Sequence, residues 1–145
     1  MAKRRRPTAM PVYGGPFGGS MAGPVARRMI GKIRITGPIM PAASSRFPQM
    51  RGASPDKIIQ KLGWAKSRGL RGLIVEINSP GGAVVASKEI ADAIKDLKMA
   101  TVAWVRDLGA SGGYWVASAC KRIVADRCST IGSIGVLSPH LEFSE

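Results

Sequence analysis

Leu73-Ile74-Val75-Glu76-Ile77-Asn78-Ser79-Pro80-Gly81-Gly82 places a short, nearly continuous apolar run directly before a proline and two glycines. A run of this length bounded by turn residues reads as a parallel strand covered on both faces. The chain after it takes up a helical period: Ala86, Ile90, Ala93, Ile94 and Leu97 share one face, and Lys88, Asp92, Lys95 and Asp96 the other. The same sequence of events then repeats. Thr101-Val102-Ala103-Trp104-Val105 reads as a third buried strand, and Gly109-Ala110-Ser111-Gly112-Gly113-Tyr114 as a second glycine turn. Gly112 to Cys120 reads as a short helix, and Ile123-Val124-Ala125 as a fourth strand. Upstream, a first strand begins near Met29 and stops at Gly37-Pro38. Residues 40 to 53 read as a loop. Ser54-Pro55 then supplies an N-cap and a first-turn proline to a helix whose Ile58, Leu62 and Ala65 align, and Gly69 ends it. Alternating strands and helices with short joints predict an α/β fold with parallel crossovers. Ligands in such folds gather at the carboxyl ends of the strands, where both glycine turns lie.

The chain has 145 residues and a net charge of +13, enough to bury one ordinary core. Its charge is uneven: residues 1 to 55 hold ten Lys or Arg and no acid, while residues 56 to 145 hold twelve against nine acids. The expected organisation is a disordered, basic, Pro/Gly-rich leader over residues 1–28 and one domain over 29–145. Nine of the twenty uncharged residues between Arg6 and Arg27 are Pro or Gly. That stretch cannot form the continuous backbone ladder of a spanning helix, nor the apolar run of a signal peptide, so no membrane span is expected. Arg4 to Arg6 with Arg27 and Arg28 suit a weak contact with an anionic membrane. No motif for specific nucleic-acid readout is present. Cys120 and Cys128 read as a buried, reduced pair. With His140 the only histidine, neither metal nor other cofactor is expected.

Serine becomes a useful nucleophile when a base takes its proton and fixed donors receive the charge that develops on the attacked carbonyl oxygen. Ser111 stands in the second turn. Glycine lets backbone N–H groups approach such an oxygen closely, so the N–H groups of Gly82 and Gly112 are the candidate donors, with Gly81 beside them in the substrate-binding turn. Tyr114 and Trp115 are expected to make core or subunit contacts rather than to read substrate.

Three ordered motifs, Ile77-Asn78-Ser79-Pro80-Gly81-Gly82, Ala110-Ser111-Gly112-Gly113-Tyr114 and Ile131-Gly132-Ser133-Ile134-Gly135-Val136, resemble the signal peptide peptidase A family of the Clp protease and crotonase superfamily. The resemblance covers about Met29 to Leu137. It implies a superhelix of β-β-α units, incomplete at the C-terminus, and a serine endopeptidase-like activity on hydrophobic or unstructured peptides. By that resemblance Ser111 attacks the peptide carbonyl, and Gly82 and Gly112 form the oxyanion site. It also implies a homo-oligomer or a complementing chain. The family's base is a lysine far downstream, and no lysine of this sequence matches it. Lys121 follows the helix that begins at Ser111 and is expected at the end remote from the nucleophile. The base is therefore expected from outside this chain.

Other readings compete. An inactive homologue acting as a peptide-binding or assembly module would keep the fold without the chemistry. Gly109 to Gly113 also fits a G-x-S-x-G elbow with Asp126 and His140 in chain order, and a Clp-like triad would join Ser111, His140 and Glu142 or Glu145. An acyl-CoA enzyme of the crotonase branch would use the oxyanion donors without Ser111.

Overall fold

The computed structural model describes residues 29–41, 52–136 and 142. The leader over 1–28, most of the loop over 40–53, and His140 lie outside the described residues. In chain order the elements are β1 (Ile30–Thr36), α1 (Pro55–Ser67), β2 (Gly72–Ser79), α2 (Val84–Lys95), β3 (Ala100–Ala110), α3 (Gly112–Ser118), β4 (Arg122–Ala125) and β5 (Thr130–Gly132). All pair in parallel in one sheet, ordered β1-β2-β3-β4, with β5 joining β3 beyond β4. A strand order that follows the chain order, joined by right-handed crossovers, carries every helix to the same face. Packing agrees: α1 touches α2, α2 touches α3, and α3 reaches β2, β3 and β4.

The core fills the space between that sheet face and the helices. Ile35, Val75, Ile77, Ala103 and Val105 point inward and are fully buried, as are Ile90 and Val116 from the helices. Each fully buried aliphatic side chain stabilises the fold by about 1.5–3 kcal/mol relative to exposure. Ser54 occupies the N-cap of α1 in an extended conformation, but its side chain makes no capping bond and its hydroxyl is buried without a partner. Proline at the first helical position already removes one of the N–H groups such a cap would serve.

The opposite face of the sheet departs from the sequence reading. Among the described residues no helix covers it, so β2 is covered by helices on one face only. Ile74 and Glu76, with Lys32, Arg34, Val102, Trp104 and Val124, line that second face through the registers Lys32↔Ile74↔Val102 and Arg34↔Glu76↔Trp104↔Val124. Glu76 is only 7% exposed because Lys32 at 2.9 Å, Arg34 at 3.1 Å and Arg106 at 3.5 Å close over its carboxylate. Burial opposes its ionisation, and the hydrogen bonds and charges of Lys32 and Arg34 outweigh that, holding its pKa below the usual glutamate value. The cysteine reading is corrected as well: both thiols are free, but only Cys120 is buried and Cys128 is exposed. Burial pushes the Cys120 thiol up to about 11, against a smaller opposing effect from Thr101.

Candidate active site

The strands continue past the apolar runs that announce them, and this extension builds the site. β2 includes Asn78 and Ser79, and β3 runs to Ala110, with a register shift between Ile77 and Ser79 that brings Ser79 opposite Gly109. β5, which the sequence reading did not anticipate, pairs Leu108, Gly109 and Ala110 with Thr130, Ile131 and Gly132. The two glycine turns therefore emerge side by side from neighbouring strands. Asn78 ties them further, its Nδ2 donating to Oδ2 of Asp107 at 2.8 Å.

The turns touch. Gly81 lies against the second turn so closely that a Cβ there would collide with the backbone N of Gly112 and lie 2.9 Å from the Ala110 carbonyl oxygen and 3.0 Å from the Ser111 Cβ. Gly81 also adopts φ +88, in the left-handed region. Behind the first turn, Ile39 forms a parallel bridge with Gly82: the Ile39 N–H donates to the Gly81 carbonyl at 2.8 Å, and the Ala83 N–H donates to the Ile39 carbonyl at 2.8 Å. The trans peptide plane that points the Gly81 carbonyl at Ile39 points the Gly82 N–H the other way.

Ser111 follows β3 directly and stands at the N-cap position of α3 with φ +49 and ψ −122, a conformation few serines adopt. Its N–H donates to the Gly132 carbonyl at 2.8 Å, and its carbonyl accepts from the Trp115 N–H at 2.9 Å. Gly112 follows at the helix start, where N–H groups have no partner within the helix. A Cβ on Gly112 would collide with Oγ of Ser87. Ser87 is fully buried on α2, and its hydroxyl donates to the Ala83 carbonyl at 2.9 Å.

Gly82, Ser111 and Gly112 line one open cavity of about 380 Å³, whose other walls include Val84, Ser87, Tyr114, Trp115, Ile134 and Val136. Among the described residues none that lines it is charged. Donors fixed in such an apolar recess act on developing charge more strongly than they would in water. Of the sequence candidates, Gly81, Gly82, Ser111 and Gly112 are thus brought together, with Gly81 buried beneath the other three. Trp115 packs against the core as expected, and both Tyr114 and Trp115 are half-buried and also line this cavity. Ser87 and Val84 were not read from the sequence, yet their place on the first turn of the helix after Gly81-Gly82 was a usable signal. Lys121 lies past the end of α3, its N–H donating to Oγ1 of Thr101 at 3.0 Å, away from the cavity. Asp126 is exposed between β4 and β5 and accepts from the Cys128 N–H at 3.0 Å, so it has no contact with Ser111. Glu142 is exposed.

Comparison with known proteins gives the class. Residues 93–145 match the profile of Peptidase family S49. The Na(+)/H(+) antiporter NhaA of Brucella abortus (strain 2308) is 38% identical over 117 residues, which is 78% of this chain and 16% of that protein. The putative signal peptide peptidase SppA of Enterococcus faecium is 35% identical over 82 residues, 54% of this chain and 24% of that protein. The chain thus spans a quarter or less of either relative. Among the described residues no helix is long and apolar enough to cross a membrane. In three dimensions the fold matches a mutant of the 1510-N membrane-bound stomatin-specific protease at a TM-score of 0.62 and 21% identity, covering 83% of this chain and 53% of that one. It matches ClpP1 from Listeria monocytogenes at 0.51 and 24% identity, covering 61% of this chain and 46% of that one. The scaffold is therefore Clp-protease-like. The resemblance to the signal peptide peptidase A family holds, carried by the S49 match and the SppA similarity.

Proposed function

We propose that residues 29–145 form a serine endopeptidase-like domain that takes hydrophobic or unstructured peptides in extended form beside the first glycine turn. The observation that carries this reading is the contact of Gly81 with Gly112 and Ser111, together with the one cavity that Ser111 shares with Gly82 and Gly112. In the proposed reaction Oγ of Ser111 bonds to the scissile carbonyl carbon as its proton passes to a base. The negative charge on the former carbonyl oxygen is held by the N–H groups of Gly82 and Gly112. The carbon–nitrogen bond then breaks, the base returns the proton to the leaving amine, and water releases the acyl group from Ser111. The base is a lysine supplied from outside these 145 residues, since among the described residues none that lines the cavity is lysine or histidine. Self-association fits the exposed Ile30, Trp104 and Val124 on the sheet face that no described helix covers.

A fluorophosphonate probe tests the reading. The chain is labelled across a concentration series in which sedimentation reports its assembly state, alone and with its assembly partner. Labelling of wild type and its absence in Ser111→Ala is expected. No labelling in any assembly state would overturn the peptidase reading in favour of a peptide-binding module, and equal labelling of Ser111→Ala would move the nucleophile elsewhere.

A further inference from the structure

Ser79 precedes the first glycine turn and is fully buried, yet it takes no part in the chemistry proposed above. Its hydroxyl makes two bonds: Oγ donates to the Gly37 carbonyl at 2.6 Å and accepts from the Gly81 N–H at 3.1 Å. Those two bonds use the single proton and one lone pair of the hydroxyl. They join the end of β1 to the turn through a side chain, beside the backbone bond from the Gly37 N–H to the Asn78 carbonyl at 3.0 Å.

We infer that Ser79 is a positioning residue whose hydroxyl fixes the direction of the Gly82 N–H. Two peptide planes lie between the Pro80 Cα and that N–H. The second, from Gly81 to Gly82, is held by the bond from the Ile39 N–H to the Gly81 carbonyl. The first, from Pro80 to Gly81, can donate only through the Gly81 N–H, and Ser79 Oγ is its acceptor. Glycine rotates about φ with little steric resistance, so a plane without its acceptor turns about the Gly81 Cα and carries the next plane with it. The second turn packs against the start of this segment, with the Ser79 carbonyl oxygen 2.6 Å from where a Gly113 Cβ would stand. An oxyanion donor works when it is oriented before the charge appears. On this account Ser79 supplies that orientation from beneath the site without touching substrate. The inference rests on the peptidase reading for its catalytic consequence, but not for its geometric content.

The test compares wild type, Ser79→Ala and Thr101→Val in the full chain. Thr101 is the control because its buried hydroxyl also accepts a backbone N–H, that of Lys121, at the far end of β3. The expected result is a limiting rate of fluorophosphonate labelling reduced about 10- to 100-fold in Ser79→Ala, less than the roughly 100- to 1000-fold of a donor removed outright, with half-saturating probe concentration little changed. Thr101→Val should lower the melting temperature without lowering that rate. Amide hydrogen exchange should show protection at Gly81 lost in Ser79→Ala and retained in Thr101→Val. Unchanged protection of Gly81 in Ser79→Ala overturns the inference whatever the activity, and so does a loss of labelling in Thr101→Val equal to that in Ser79→Ala. If wild type takes no label, the peptidase reading fails, and the exchange result still decides the geometric claim.

Discussion

Ser111 holds φ +49 and ψ −122, a backbone state that costs about 1–3 kcal/mol and persists only where surrounding contacts impose it. Those contacts are the Gly132 carbonyl on its N–H and the start of α3 on its carbonyl. Such a bend at the end of a strand lifts a hydroxyl into the cavity at the carboxyl edge of the sheet. The closeness of Gly81 follows from the same need, since only a residue without a Cβ lets the first turn lie on the amide of Gly112. Gly81→Ala is therefore expected to reduce fluorophosphonate labelling of Ser111 by at least about 100-fold, the scale of one lost oxyanion donor. Far-UV circular dichroism should keep its helix and strand signal. Labelling at the wild-type rate would show that the contact between the turns has no catalytic role. At this scale the glycines and Ser111 were legible because each residue type is tied to one physical requirement. Ser79 was not, since a serine in a turn has many ordinary uses and only its two bonds reveal this one.

Along the elements, strand and helix periods in the sequence marked β1 to β4 and α1 to α3, but understated the reach of β2 and β3. Hydrophobic patterning reports burial by side chains. Asn78, Ser79, Gly109 and Ala110 are held by backbone pairing and polar ties instead, and β5 is a three-residue strand with exposed side chains. Glu76 inside the apolar run of β2 was the one signal against a strand covered on both faces. It sits among Lys32, Arg34 and Arg106, with the cations of Lys32 and Arg106 also 5.9 and 5.5 Å from the Trp104 ring. Since its folded pKa is lowered, its contribution to stability is present above the unfolded glutamate value of about 4.3 and is lost as pH falls through the lower folded value. Chemical denaturation across the acid range should show Glu76→Gln less stable than wild type at neutral pH, with the difference shrinking as pH drops below about 4. A difference that stays constant with pH would show that the carboxylate charge contributes nothing there.

For the whole molecule, a parallel sheet ordered as the chain is ordered places three helices on one face and the loops after β1, β2 and β3 along one edge. The arrangement was legible from the alternation of strands and helices in its parallel strands and the shared edge of the two turns, but not in its one-sided helix cover. It turns separate glycine motifs into neighbours, whereas the cavity walls were hidden from the sequence because Val84, Trp115, Ile134 and Val136 meet only in three dimensions. The most direct measurement of the central claim follows the amide resonances of Gly82 and Gly112 by NMR as a peptide boronic acid, which forms a tetrahedral adduct with an accessible serine, is titrated into the assembled protein. Both amides should shift together with one saturation curve in wild type, and neither should shift in Ser111→Ala. Movement of only one amide, or equal movement of both in Ser111→Ala, would contradict a site in which the two turns serve one serine.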